Sequence, residues 1–553
     1  MKNKKDIATI REAYRKYAFS GDKAALDERI IENERWYKQQ YEQYSSSEDR
    51  KKGDSQPKSR SGYIFSAIAN KHADAMDNYP DINILPREAG DQAEAKRLTD
   101  ILPCVLELCD FKDVYAQNWW YKLKNGTAVY GVFWNSGLQN GLGDIEIKKI
   151  DLLNLAWQPG ITDIQDSKYV FYSYYMDKDE FVKRYGKKKL TQAGDGYELK
   201  TYGNKNLDQM EQSVLVVDCY YKDDGAVYLT KFSGEHVLEQ SGGPLYDHGL
   251  YPFVFDVMYP NEDTPAGFGV IDVTKGTQAY IDKLDALLAE NSMIAGKTRY
   301  YIKDNCGINE DEFRNLDNVF VHVAGSLDER NILQIEGKPL PAQVTNQREQ
   351  KINELKEVIG NRDFQQGGTS GGVTAASAIT VLQQAGDKLS RDLIGASYRA
   401  YKRIVSMCIE LMRQFYDLER SFRITGERGE DMFISYNNSG LKLQALRRPE
   451  FDVSLSVQKS NPFTKELQNQ TIMQLWGAGM FNPQAIDLSL IALEFMQFEG
   501  KDEMCAKLAE LSQTQKQMQQ AQQMQAAIQQ TAAQAGPAEQ NLVAIPKSAV
   551  GGI

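Results

Sequence analysis

The sequence predicts an α+β fold, and three observations carry that expectation. Apolar residues recur at helical spacing up to residue 125 and again over 265–416. Between Thr127 and Phe232 the period drops to two, as in half-buried strands. Alternation then returns after Tyr416, in FRITG, DMFISY and FDVSLSV.

Residues 6–45 read as polar helix, with a weak apolar stripe at Tyr14, Leu26, Ile30, Trp36 and Tyr37. The stretch SSSEDRKKGDSQPKSRS (45–61) reads as a connection of small polar and charged residues. A helix follows with Ile64, Phe65, Ile68, Ala69, Ala73 and Met76 on one face. It stops at Asn78-Tyr79-Pro80, because a residue before proline avoids the α region. INILP reads as a short strand, and 93–108 and 111–124 as helices. The second of these carries Phe111, Tyr115, Trp119, Trp120 and Tyr121 and ends at Asn125-Gly126. TAVYGVFW and DIEIKKI flank SGLQNGLG as a β-hairpin, whose Gly/Asn cluster supplies positive φ angles. Further strands are expected at 169–175, 213–221 and 227–232, with a helix at 178–185 and a polar excursion over 190–212.

Near Pro265 the pattern changes. Ala266 to Ala295 reads as one helix, about 40–45 Å long, with Val273, Tyr280, Ile281, Leu284, Leu288 and Met293 spaced for a buried face. A small mixed module follows over 297–339, built from RYYIK, the helix-prone NEDEFRNL, NVFVHV and NILQIE. A second helix runs to Ile359 with Val344, Ile352, Leu355 and Ile359 on one face. Pro341 suits its first turn, where a missing N–H is not needed. After Gly360 comes NRDFQQGGTSGGV, then a very long helix from Thr374 to about Tyr416. Its residues Ile394, Tyr398, Tyr401, Val405, Cys408, Met412 and Phe415 step alternately by four and three, a sustained packing seam. Helices are expected at 463–478 and 483–497. The Gln/Ala/Met-rich stretch 512–535 is compatible with a solvated helix or with disorder.

Composition narrows the function. A formal net charge of −11 argues against a protein that grips phosphates, though not against one that surrounds nucleic acid. Six scattered cysteines and four widely spaced histidines give no zinc spacing, so no metal or cofactor is expected. The acidic pairs Asp223-Asp224 and Glu310-Asp311 read as solvated turns, and no GxSxG, HExxH or kinase-type set appears, so no enzyme is expected. The glycine-rich segment lacks the lysine and the preceding strand of a phosphate-binding loop. The N-terminus has no apolar signal core and no stretch is long enough for a membrane span, which points to a cytoplasmic setting with reduced thiols.

Two long helices flanking a small module should run antiparallel, with the module at the far tip and the glycine-rich segment at the opposite end. A ring of copies can close such helix pairs side by side into a tube; a helical hairpin inside an ordinary multidomain protein is the alternative. Gly360, Gly367, Gly368, Gly371 and Gly372 make the segment between the helices adaptable. Arg362 is its phosphate contact, with Asp363, Phe364, Gln365 and Gln366 beside it.

Four stretches carry a resemblance to the portal (head–tail connector) family of tailed phages. They are INILPREAGDQAEAKRLTDIL, WWYKLKNGTAVYGVFWN with GDIEIKKIDLLNLAWQP, PAGFGVIDVTKGTQAYIDKLDALL, and GGTSGGVTAASAITVLQQAGDKLSRDLI. The resemblance implies a mixed α/β wing (1–264, completed by strands over 417–460), a stem (265–296 and 340–360) and an α/β clip (297–339). It further implies a tunnel loop (361–373), a long wing or tunnel helix (374–416), a helical crown (461–511) and a Gln-rich tail (512–553) without a firm counterpart. Asn361, Arg362, Asp363, Phe364, Gln365, Gln366, Gly367 and Gly368 would line a channel for double-stranded DNA. Val273, Ile281, Leu284, Leu288, Ile352 and Leu355 would pack the stem. Tyr300, Arg314, Asp317 and Arg330 would dock adaptor or terminase at the clip.

The family's role would make the chain one subunit of a homo-oligomeric ring of about twelve at a capsid vertex. Its partners would be the major capsid and scaffolding proteins, the terminase large subunit, head–tail adaptors and the passing DNA, with no membrane. It would be assembled in the host cytoplasm and carried in the virion. The rivals are a non-channel scaffold assembled by helical packing and a DNA-packaging enzyme.

Overall fold

The computed structural model describes residues 7–41, 60–189, 199–202, 213–296, 299–302, 332–335, 340–360, 388–425, 431–442 and 448–457, with single positions at 309, 311, 322, 324, 473, 474, 477, 507, 508 and 511. The chain divides into two units, 1–458 and 459–553. In the second unit the described positions are helical; the expected crown helices and Gln-rich tail otherwise lie outside the described residues.

The N-terminal polar stretch is two helices, α1 (Ile7–Ala18) and α2 (Gly21–Tyr37). The break falls at Ser20, whose hydroxyl accepts from the Lys23 amide at 3.2 Å and caps α2. Next come α3 (Tyr63–Asp77), β1 (Pro80–Pro86), α4 (Gln92–Leu108) and α5 (Phe111–Asn125). The expected hairpin forms as β2 (Thr127–Asn135) and β3 (Asp144–Ile150), its turn crossed by positive φ at Gln139, Asn140, Gly141 and Gly143. Then follow β4 (Leu155–Trp157), β5 (Tyr169–Asp177), α6 (Lys178–Tyr185), β6 (Ser213–Asp223), β7 (Ala226–Ser233), β8 (His236–Gln240) and β9 (Phe253–Val257). Most of the polar excursion over 190–212 lies outside the described residues.

Three of these strands, β4, β8 and β9, were not expected. β4 is three residues long, and β8 sets its two apolar residues, Val237 and Leu238, side by side, so it shows no alternation. The signal for β9 is the FVFDV alternation between Pro252 and Pro260. β9 completes a sheet in the order β3-β2-β9, and β4-β5-β6-β7-β8 form a second sheet. α1 covers the second sheet: Tyr14 and Tyr17 meet the Phe171 ring edge-on at 5.2 and 5.9 Å between centroids.

The long helices are α7 (Val270–Gly296), then, after the paired strands β10 (Arg299–Ile302) and β11 (Ile332–Ile335), α8 (Ala342–Ile359) and α9 (Lys388–Phe415). Residues 374–387, the expected start of the last helix, lie outside the described residues, as do Arg314, Asp317, Arg330 and nearly all of NEDEFRNL and NVFVHV. A hairpin of β12 (Arg420–Thr425) and β13 (Asp431–Tyr436) follows, and β14 (Phe451–Val457) pairs antiparallel with β1.

The main core gathers α3, α4, α5, β2, α7 and α9. The expected seam of α9 is its buried side: Tyr401, Val405, Cys408 and Met412 are enclosed, with Leu393, Ala400, Ile404 and Leu411 widening the stripe. Each large side chain so enclosed contributes roughly 1.5–3 kcal/mol. At the end of α9 the Arg420 guanidinium lies over the Tyr416 ring and donates to the Gly143 carbonyl at 2.9 Å, tying the helix to the β2–β3 turn.

Candidate functional site

The helix pair α7–α8 begins where three segments meet too closely for side chains. Gly126, which ends α5 with φ +83°, has room for no Cβ: one would lie 2.1 Å from the Phe268 carbonyl carbon. Gly267 is as tight, its Cβ position falling 2.0 Å from the Tyr259 oxygen. Those glycines hold the backbone extended to residue 269, so α7 starts at Val270 rather than at Ala266. Polar groups fix the junction further. The Gly267 amide donates to Thr127 Oγ1 at 2.7 Å and the Gly269 amide to Asp272 Oδ2 at 2.9 Å. From α2, Arg29 donates to the Gly267 carbonyl at 2.7 Å and Asn33 to Asp272 Oδ1 at 3.0 Å.

About three turns further along α7 lies Asp282, a buried carboxylate. It accepts from the Ser61 amide at 2.9 Å, the Ser61 hydroxyl at 2.7 Å, Gln278 Nε2 at 2.9 Å and the Tyr41 hydroxyl. Burial and the neighbouring Asp282 hold the Tyr41 phenol protonated. Four donors let one buried charge exist without a cation.

The two helices run antiparallel, as the sequence leads one to expect. Arg348 of α8 pairs with Asp285 of α7 through both nitrogens, Nη2 to Oδ2 at 3.3 Å. At the opposite end Val273 and Thr274 share an apolar cleft of about 230 Å³ with Val358 and Ile359. Leu393 of α9 lines the same cleft. Ile359 closes the helix before the glycine-rich segment and Leu393 belongs to the described part of the helix after it, so α8 and α9 meet at the end of the pair remote from β10 and β11. Asn361, Arg362, Asp363, Phe364, Gln365, Gln366, Gly367 and Gly368 themselves lie outside the described residues.

Of the expected stem residues, Ile281, Leu284 and Leu355 are buried, while Leu288 and Ile352 are half-buried. Val273 is a correction: it is 46% exposed, as are Tyr280 at 38% and Met293 at 47%. The buried face of α7 is Val270, Ile271, Thr274, Gln278, Ile281, Asp282 and Leu284. Val273 points away from it because each residue turns roughly 100°. Val273, Tyr280 and Leu287, the last 43% exposed, recur every seven residues and so form a second, exposed apolar stripe along the side of α7 next to α8, whose Gln347 donates to the Tyr280 hydroxyl at 3.0 Å. Tyr300 falls in β10, and only its backbone is described.

Beside this pair, α9 is anchored by a fully enclosed ion pair. Lys122 Nζ of α5 donates to Asp256 Oδ1 of β9 at 2.7 Å and to Ser397 Oγ of α9 at 2.8 Å. The Ser397 hydroxyl donates in turn to Asp256 Oδ2 at 2.6 Å. Burial lowers the Lys122 ammonium, and Asp256 opposes that shift. Lys122 is wholly enclosed, so its amine is open to no substrate in this arrangement.

Two larger clefts carry no catalytic set. One of about 530 Å³ lies between Ser20–Arg29 and Asn261–Ala266, floored by Leu26 and Trp157. The other, about 450 Å³, holds Arg87, Arg413 and Arg448. These are matched by carboxylates: Arg87 by Asp452 at 2.9 Å and Glu450, Arg413 by Glu410 at 2.5 Å, Arg448 also by Glu410. Among the described residues no group of His, Cys, Asp and Glu is placed to hold a metal, and no helix is long and apolar enough to cross a membrane.

No curated protein matches the chain. The family described as "Phage P22-like portal protein" matches it over residues 8–235 and 222–545.

Proposed function

The chain belongs to the phage P22-like portal protein family, a structural family of the virion, and on that premise we propose how this subunit builds a DNA channel. About twelve copies close head-to-tail into a ring at one capsid vertex. Residues 265–296 and 340–360 serve as the stem, 297–339 as the clip, and 1–264 with 417–460 as the wing. The long helix 374–416 follows the tunnel loop 361–373, and the crown is 461–511. DNA passes the tunnel loop, with Arg362 as its phosphate contact; terminase and adaptors dock at the clip through Tyr300, Arg314, Asp317 and Arg330. Major capsid and scaffolding proteins meet the ring during assembly in the host cytoplasm.

The observation that supports this reading best is the exposed apolar stripe of α7. Val273, Tyr280 and Leu287 run beside α8 yet keep at least 38% of their surface open. An apolar row of that kind on a soluble subunit is suited to burial against another chain. In a ring closed by rotation, the surface that meets it belongs to a different face of the next copy. The net charge of −11 agrees with passive passage of DNA, since a tight polyphosphate grip would stall it.

Replacing Val273 and Leu287 together by Asp tests the reading. Leu287 is 43% exposed and Val273, at the rim of the α7–α8 cleft, 46%, so the subunit should stay folded, while rings seen by negative-stain imaging should give way to monomers. Rings of unchanged number and size in the double variant would sink the proposed stem interface. Deleting Gln365–Gly372 should leave rings intact and impair packaging or genome retention; loss of rings would make that segment structural instead.

A further inference from the structure

The strongest charge feature outside the helix pair is a basic corner on the five-stranded sheet. Lys183, Arg184, Lys187, Lys188 and Lys189 crowd into seven residues of a chain whose net charge is −11. The fold holds them at one place. Phe181 is fully buried in a small core with Met176, Val214, Val216 and Leu238, which fastens α6 to the sheet. Gly186, at φ +86°, ends the helix by returning its amide to the Val182 carbonyl at 3.0 Å. A tight turn over Lys187–Lys189 follows, closed by the Lys189 amide on the Gly186 carbonyl at 3.2 Å. Lys189 Nζ donates to the Leu238 carbonyl at 3.1 Å and pins the turn to β8.

Lys183, Arg184, Lys187 and Lys188 are exposed, and no described carboxylate forms an ion pair with any of them. The acidic residues of this helix, Asp179 and Glu180, sit in its first turn, where their amides bond to the Asp177 cap. Cations at the last turn also suit the negative end of the helix dipole, so the corner is stable without a partner. Several surface cations elsewhere are matched instead: Arg87 and Arg448 have carboxylates, as do Lys200 and Lys275.

We propose that this corner is an electrostatic contact site for the phosphate backbone of duplex DNA. Two arguments favour phosphate over a protein surface. Protein interfaces are depleted in lysine and built around apolar anchors, and the corner offers four exposed cations without a described carboxylate partner, Arg184 lying over the Tyr185 ring, and no exposed large apolar side chain among them. Flexible ammonium groups, by contrast, are ordinary partners of phosphate oxygens and need no register. The contact reads no sequence, and it is separate in the chain from the 361–368 segment. That the polyanion is DNA rests on the portal reading; that the corner takes phosphate does not.

The test uses the full chain and a fluorescent duplex of mixed sequence, with binding followed by anisotropy across a salt series. Four phosphate contacts should give a slope of log affinity on log salt near −3.6. Reversing Lys183, Arg184, Lys187 and Lys188 to Glu, with Lys189 kept for its bond to β8, should weaken binding at least tenfold at low salt and flatten that slope by about three units. Reversing Lys96, Lys112 and Lys402 should cost much less. Near-ultraviolet circular dichroism and ring size verify that the fourfold variant is folded and assembled. Equal affinity and slope in the parent and the variant overturn the proposal, as does a parent that binds no duplex at low salt. Loss of ring assembly with unchanged DNA binding also overturns it, and assigns the corner to contact between copies. Ring formation is read separately, so failure of the corner leaves the channel reading standing.

Discussion

Lys122 is the residue whose removal tells most about the fold. Its ammonium joins α5, β9 and α9 through Asp256, Ser397 and the Leu393 carbonyl. Replacing it with Met should cost about 3–5 kcal/mol, because Asp256 would be left charged in a dry site. Chemical denaturation of the variant measures the loss; a change below 1 kcal/mol would mean water reaches the pair. Asp218 makes the opposite kind of statement. Burial pushes its carboxyl up to about 6, with Lys231 at 3.4 Å opposing the shift. A raised carboxyl pKa means the folded state holds the proton more tightly than the unfolded one. Stability from this group is therefore present below its unfolded value near 4 and declines as pH rises toward 6. Asp218→Asn should consequently gain on the parent chain between pH 4 and 6 and keep a constant difference above that range. A difference that does not vary with pH would refute the assignment. The position of Lys122 was readable in outline, since it follows Phe111, Tyr115 and Trp119 at helical steps. Its partner was not, because Asp256 comes from a strand with no expectation attached to it.

Among the elements, helices and long strands were legible because their periods repeat often enough to exclude each other. The helix at 178–185 and the hairpin at 127–150 fell where expected. Short strands escaped, as three residues of β4 cannot display a period. α7 shows a different limit. Its sequence carries two apolar rows, one through Val270 and Ile281 and one through Val273, Tyr280 and Leu287. Spacing finds both rows but does not say which one turns inward. The inward row should be unforgiving: Leu284→Asp should lower stability by about 3 kcal/mol or more, from lost burial and a desolvated charge. Equilibrium unfolding decides it, and an unchanged midpoint would mean that Leu284 is solvated. The glycine junction was legible only as a helix stop at Asn125-Gly126. That the same glycine leaves space for the chain at Phe268 is a fact of tertiary packing. Gly126→Ala should destabilise by about 1–3 kcal/mol from its left-handed backbone alone, with further loss from the contact.

At the scale of the whole molecule, order and spacing of elements carried more than any single motif, since every motif alone had a plain structural explanation. The glycine-rich segment, the feature nearest to function, is also the one for which sequence and family speak while the described residues supply only its two flanks. One last feature constrains how the molecule comes into being. Among the described residues β1 pairs with β14 alone, and Arg87 reaches Asp452 across 365 positions. Bringing such distant points together costs about 5 kcal/mol of loop-closure entropy, and during synthesis β14 does not exist until most of the chain has left the ribosome. The nascent subunit therefore carries an unpaired strand edge for most of its translation, and chains that stop short of residue 451 should be drawn into aggregates rather than released as small soluble fragments.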